Sequence, residues 1–405
     1  PPPGVCLTTA AASTAPTLAV SFLVCCYCQS PRFRLFNKDA SADAALCAAD
    51  APAIDPDAAA VHMAAAILAY AQIQGQFWED PAKARDAVAH LLRHMPVRDG
   101  IQLMGESDRF LDFLLEHVRY ALLVRAHGPS WATNTTLVTD TDFLDYVLPF
   151  AFIDEKRDVG FGWRRRFHQL FSRDVSTARN ATAAMHALAA AIPRAAAAGA
   201  LTLGDELMAG SVVRWQSETS PMRMSPEQVI DLGGGSCTGT AVVMAAAARA
   251  VGIPARVAGC SQSVAGDDHH WIEFLDKAAA VSPLGDAWHT KEGTSAGNAG
   301  GPWDAPSGPM SRCLQHLLPG DTSRLNTMWA TKWSSDVPMA VLWQPTGSTA
   351  LKFAFVGGVN RCGAYCAAWG CGVNQTDRWS QKECDVPRPS FGQGVVPIAS
   401  AHGHV

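Results

Sequence analysis

The stretch from Gly233 to Arg256, GGGSCTGTAVVMAAAARAVGIPAR, constrains the fold of this chain more than any other segment. Its three leading glycines make a turn whose backbone can approach a neighbour closely, because no Cβ stands in the way. The alanine-rich run behind them predicts one helix over 238–251, closed by Gly252, after which Ile253 and Pro254 turn the chain into a strand. Cys237 therefore stands where the turn enters the helix. The free N–H groups and the dipole at that end favour negative charge and lower a thiol pKa. A cysteine at a helix start is by itself a small buried apolar residue. To act as a nucleophile it also needs a base and donors for an oxyanion.

The base comes from HHWIEF at 269–274. In a strand alternate side chains share a face, so His269, Trp271 and Glu273 lie on one side and His270, Ile272 and Phe274 on the other. The second set is apolar apart from its histidine. His270 is thus expected to pack and His269 to act as the base. The backbone N–H of Cys237 is the expected oxyanion donor, being a free donor of the helix N-terminus. Trp215 and Gln228 are further candidates for that role, and Trp271 and Trp288 are expected as core residues and site walls. A third residue should accept a hydrogen bond from the imidazole and orient it. GDAWHTKEG offers Asp286 and Glu292, and spacing does not choose between them. A metal set of Cys237, His269 and His289 lacks the ligand spacing of a zinc motif, so neither metal nor cofactor is expected. Cys260, on an apolar strand, is expected in the core.

Around this segment the 405 residues divide by character. Residues 1–50 are rich in Pro, Ala and Ser and read as a tail or leader. Residues 51–205 carry helical patterns. One helix starts at Pro81 and stops before Pro96, another places Phe110, Phe113, Leu114, Val118 and Leu122 on one stripe, and a third covers 177–192. Residues 206–345 hold the turn, helix and strand runs, with further strand candidates at 339–345 and 350–358. Residues 346–405 are Cys-rich. At about 100–200 residues per domain, two or three domains are expected. With 48% hydrophobic and 17% charged residues the chain can bury a substantial core, which excludes global disorder. The net charge of −5 gives no footprint for nucleic acid or an anionic membrane surface. The basic block GWRRRFHQLF at 162–171 is expected as a solvated helix face.

No apolar run reaches the roughly 18 residues of a membrane span. LAVSFLVCCYC at 18–28 has the length of a signal h-region, while the sequence begins PPPG without Met or a basic n-region. Cys362, Cys366, Cys371 and Cys384 read as two disulfides of an oxidising compartment or a thiol metal site of a reducing one, and the lack of C-x₂-C pairs favours the disulfides. Asn-x-Thr sequons at Asn134, Asn180 and Asn374 are compatible with secretion. Localisation stays open between secreted or lumenal and cytoplasmic.

Cys237 in GSCTG, the helix ending RAVGIPARV, HHWIEF and the segment led by Trp288 together resemble the transglutaminase-like superfamily. The resemblance implies a papain-like α+β fold, with the cysteine on a helix N-terminus and the histidine and acid on neighbouring strands. Its His-x-Trp pattern falls on His269 and Trp271. Its acid follows the second tryptophan by about four positions, at Glu292, where the family has Asp. Upstream, FLDYVLPFAFIDEKRD with Trp163 and Arg164, and TSPMRMSPEQVIDLGGGSC with Arg223 and Glu227, resemble a mainly bacterial subgroup with a helical region before the core. The likeness covers about residues 80–335. It implies a cysteine-nucleophile enzyme acting on amide bonds of a protein or peptide substrate through a thioester. Hydrolysis is favoured over amine transfer, because no calcium-loop signature is present. The alternative is a transglutaminase-fold binding or assembly module without activity.

Overall fold

The computed structural model describes residues 56–105, 107–197, 214–215, 221, 223–260, 269–279, 282, 284–291, 328–335 and 356–369. The tail at 1–50, the strand candidate at 339–345, Glu292 and Asn374 lie outside them, as does most of the candidate at 350–358.

Among the described residues eight helices come first: α1 (Pro56–Ile73), α2 (Pro81–His94), α3 (Val97–Gly105), α4 (Ser107–His127), α5 (Ser130–Thr133), α6 (Asp140–Tyr146), α7 (Trp163–Val175) and α8 (Ala181–Ala197). Local chemistry starts several of them. Asp80 caps α2 by accepting from Lys83 N at 3.0 Å, with Pro81 in the first turn. Thr139 and Asp142 form a capping box on α6. The expected stripe of α4 is buried from Phe110 to Val118 in a cluster shared with α1 and α2, and Phe150 meets Phe110 and Phe113 edge to face at 5.9 and 5.4 Å.

The basic block at 162–171 departs from expectation. It opens α7, and its Arg164 is fully buried rather than solvated. The Arg164 guanidinium donates to the carbonyls of Val147, Leu148, Pro149 and Arg249 and to His117 Nδ1. Burial, followed by the nearby Arg249, pushes its pKa well below the usual value. Arg249 itself donates to the carbonyls of Pro149, Ala151 and Ala255. Two buried guanidiniums thus satisfy the irregular backbone between α6 and α7, which would otherwise hold orphaned acceptors.

The remaining elements are β1 (Arg214–Trp215), α9 (Pro226–Leu232), β2 (Gly234–Gly235), α10 (Cys237–Ala250), β3 (Ala255–Cys260), β4 (His269–Leu275), β5 (Trp288–Lys291), β6 (Trp329–Thr331), β7 (Gly358–Asn360) and α11 (Cys362–Trp369). Every residue of α10 after Cys237 is buried, in keeping with its alanines and valines on all sides. Small side chains let α7, α8 and the sheet all close on it. Gly252, at φ +91°, ends this segment in the left-handed region, and a Cβ there would lie 2.5 Å from Val124 Cγ1.

The main sheet is antiparallel, in the order β5-β4-β3-β6-β7. One face carries Ala255, Val257, Ile272 and Phe274 into the core shared with α10. The other carries Ala258, Cys260, Trp271, Leu275, Trp288 and Ala330 against Tyr146 of α6 and Tyr365 of α11. The molecule is therefore α+β, with the central helix on one side of the sheet and α11 on the other. Because β7 and α11 belong to this unit, the sheet runs past the boundary expected at residue 345, and Trp333 and Val356 pack into the helical core. Cys260 is buried as expected and is also disulfide-bonded. Cys362, expected in a disulfide, is present as a thiol whose Sγ lies 3.8 Å from Met328 O.

Candidate active site

Three elements meet at Cys237. α9 opens with a reciprocal cap between Ser225 and Gln228, in which Ser225 N donates to Gln228 Oε1 at 3.0 Å and Gln228 N to Ser225 Oγ at 3.3 Å. The glycine turn then pairs with β1 in parallel, Trp215 opposite Gly235, so Trp215 backbone runs alongside the turn two residues before the cysteine. Ser236 caps α10, its hydroxyl facing Gly239 N at 3.5 Å. Cys237 is the first residue of that helix and is half-buried, with its thiol at the mouth of the turn. The cap takes the Gly239 N–H, and the Cys237 N–H at the helix start is the kind of donor an oxyanion site requires.

Strand β4 brings two adjacent histidines to the thiol. His270 Nδ1 lies 3.9 Å from Cys237 Sγ and 3.0 Å from Thr238 Oγ1. Its ring sits edge-on to Trp329 at 5.3 Å and lies over Gly259 of β3, its register partner. A Cβ on Gly259 would stand 2.7 Å from Trp329, 2.8 Å from His269 O and 2.9 Å from His270 Cδ2. The glycine is what lets the imidazole lie this close to the backbone. His269, on the face of β4 that carries Trp271, stands with its ring 5.8 Å from the Trp271 ring and also hydrogen-bonds to the Cys237 side chain.

Burial pushes the Cys237 thiol up, but hydrogen bonds from His269 and then His270, with their charges, outweigh it and bring the pKa down to about 5. The shift favours the thiolate, the form in which cysteine attacks.

The other expected site residues fall into place as follows. Asp286 is held at the far end of β4 from the histidines. The pairing of Leu275 with Trp288 sets it beyond the strand's last residue, about 20 Å along a strand of about 3.3 Å per residue from His269. There it accepts from Trp288 N at 3.0 Å and from Arg361 Nη1 at 2.8 Å. Glu292 follows β5 directly and lies outside the described residues. Gln228 spends its carbonyl oxygen on the α9 cap. Trp271 and Trp288 both lie on the sheet face turned away from α10. Trp271 Nε1 donates to Tyr365 OH at 2.7 Å, and Arg256 lies over the Trp288 ring at 3.7 Å. His289 stacks on Phe274. Arg223 pairs with the buried Asp154 at 2.6 Å, and Glu227 N donates to Asp158 at 2.7 Å, so this pair ties the cysteine's approach to the helical region.

Strand alternation separates the two histidines, but it does not say which face looks at the thiol. Thr238 and Gly259 carried no expectation. The signal available for Gly259 was a glycine inside an otherwise apolar strand, which marks a close approach.

A transglutaminase-like superfamily model matches residues 186–288, from α8 through Trp288, and so spans Cys237, His269 and Trp271. That superfamily includes cysteine enzymes. No curated protein and no solved structure matches the chain.

Proposed function

We propose that this chain, which carries a transglutaminase-like domain, is a cysteine-nucleophile enzyme that opens amide bonds through a thioester, with water as the favoured acceptor. The observation that carries the reading is a half-buried thiol at the first position of α10 with imidazole nitrogen beside it and its pKa drawn down to about 5. The Cys237 thiolate attacks the carbonyl carbon, and the Cys237 backbone N–H receives the developing oxyanion. His269 gives its proton to the leaving nitrogen as the C–N bond breaks, which leaves an acyl-thioester. Water then attacks, His269 takes its proton, and the C–S bond breaks to return the thiolate. Glu292, the residue after β5, is proposed to orient His269.

The test is turnover of a peptide library containing glutamine and asparagine amides, with and without a primary amine. Release of acid or ammonia, lost in Cys237→Ala, is expected, together with a mass shift for the trapped acyl-enzyme. Amine incorporation at the expense of acid would reassign the chain to transfer. Binding of peptides without any acyl-enzyme would leave an assembly module.

A further inference from the structure

We infer that His270 is a second imidazole of the active site, donating from Nδ1–H to the Cys237 thiolate, with Thr238 Oγ1 fixing that ring. The inference rests on the proposed cysteine chemistry and adds a group to it. The geometry sets out three points. His270 Nδ1 is shared between Thr238 Oγ1 at 3.0 Å and Cys237 Sγ at 3.9 Å, within reach of a hydrogen bond to sulfur. The ring is fully buried and clamped between Gly259 and Trp329, so it cannot swing away from the thiol. Cys237 and Thr238 are the first two residues of α10, so the helix that presents the nucleophile also presents the hydroxyl that orients its neighbour.

The division of labour follows from the faces of β4. His269, beside Trp271, takes the thiol proton and returns it to the leaving group. His270, on the α10 face, donates from Nδ1 toward the sulfur. The Thr238 hydroxyl oxygen accepts part of that bond and so holds the ring in place. A thiolate held by two imidazoles stays ionised while one of them cycles its proton. Among the described residues the titratable groups acting on the thiol are His269 and His270, and both lower its pKa.

The test measures iodoacetamide labelling of Cys237 against pH in the full chain, for the wild type and for His270→Leu, His270→Asn and Thr238→Val. Folding of each variant is checked by near-ultraviolet circular dichroism. The Asn side-chain nitrogen occupies the place of imidazole Nδ1, so His270→Asn keeps the donor. Labelling at pH 6 is expected to fall about tenfold in His270→Leu, with its inflection moved up, and to be largely restored in His270→Asn. Thr238→Val is expected to shift the inflection in the same direction by less. An unchanged profile in His270→Leu reduces His270 to packing and overturns the inference. Equal losses in the Leu and Asn variants overturn the donor assignment. If His270→Leu does not fold, an unchanged profile in Thr238→Val overturns it instead. The cysteine-enzyme reading fails separately, if wild-type Cys237 labels at pH 6 no faster than a model thiol.

Discussion

Cys237 owes its chemistry to its position as much as to its type. Its folded pKa of about 5 lies below the ordinary thiol value, so the charged form is the stabilised one. The reactive fraction should therefore be full near neutrality and should be lost as pH falls through about 5. Wild-type alkylation rates are expected to be flat from about pH 6 to 8 and to drop about tenfold per pH unit below the inflection. A rate that still climbs between pH 7 and 9, as for an unperturbed thiol, would contradict this. At this scale the place of the proposed nucleophile at a helix start was legible, because a glycine turn and an alanine-rich run have fixed local consequences. The companion of the thiol was less legible. That His269 and His270 point to opposite faces follows from the two-residue period of a strand, but both reach Cys237 only because β4 begins beside the start of α10. Arg164 illustrates the same limit. Its neighbours Arg165 and Arg166 suggest a wet helix face, and only the carbonyls of Val147, Leu148 and Pro149 explain why the middle of a protein needs a guanidinium there.

Among the elements, the least expected is α11, from the segment that read only as Cys-rich. It closes the sheet face opposite the nucleophile through a polar chain buried among aromatics. Trp271 Nε1 donates to Tyr365 OH, and Tyr365 OH donates to Glu273 Oε1, both at 2.7 Å. Glu273 also accepts from Arg361 Nε at 3.1 Å and from Arg256 Nε at 2.8 Å. Burial raises the Glu273 pKa, but Arg256, Arg361 and these hydrogen bonds outweigh it, so the carboxylate stays ionised. Removing one hydroxyl leaves two buried partners short. Tyr365→Phe should therefore destabilise the fold by about 1–3 kcal/mol, measured by urea unfolding. Because Trp271 stands against the His269 ring, the variant should also slow turnover more than it slows Cys237 alkylation. Equal stability of the variant and wild type would mean that α11 is not fastened to the sheet by this chain. Short elements such as β6, β7 and α11 were not legible, because three to eight residues carry too little periodicity. They exist because β3 and β4 offer them edges and surfaces that no local pattern announces.

On the scale of the whole molecule, the helical region and the glycine turn before Cys237 are joined by buried charge. Arg157 pairs with Asp99 at 3.0 Å and with Glu155 at 2.8 Å, Asp154 with Arg223 at 2.6 Å, and Asp158 accepts from Glu227 N at the start of α9. Asp158 is the weak point in this set. Burial raises its pKa to about 7, against hydrogen bonds from Ser225 and Glu227 that lower it, and it has no cation of its own among these contacts. A carboxyl with a raised folded pKa binds its proton more tightly in the native state. Its contribution to stability is therefore complete below the ordinary carboxylate pKa and is lost as pH rises through about 7. A displacement from 3.8 to about 7 corresponds to roughly 4 kcal/mol of pH-dependent stability. Cys237 works in the opposite sense, since its depressed pKa adds stability as pH rises from about 5. The two terms oppose each other across the range in which the thiolate forms. Asp158→Asn keeps an acceptor for Glu227 N and removes the titration. The variant is expected to melt higher than wild type at pH 8 and to match it at pH 4, with the difference growing through pH 5–7. Thermal unfolding of both chains at matched ionic strength measures this. A difference that is constant with pH would mean that Asp158 is already ionised in the native protein, and that this junction places no limit on stability near neutral pH.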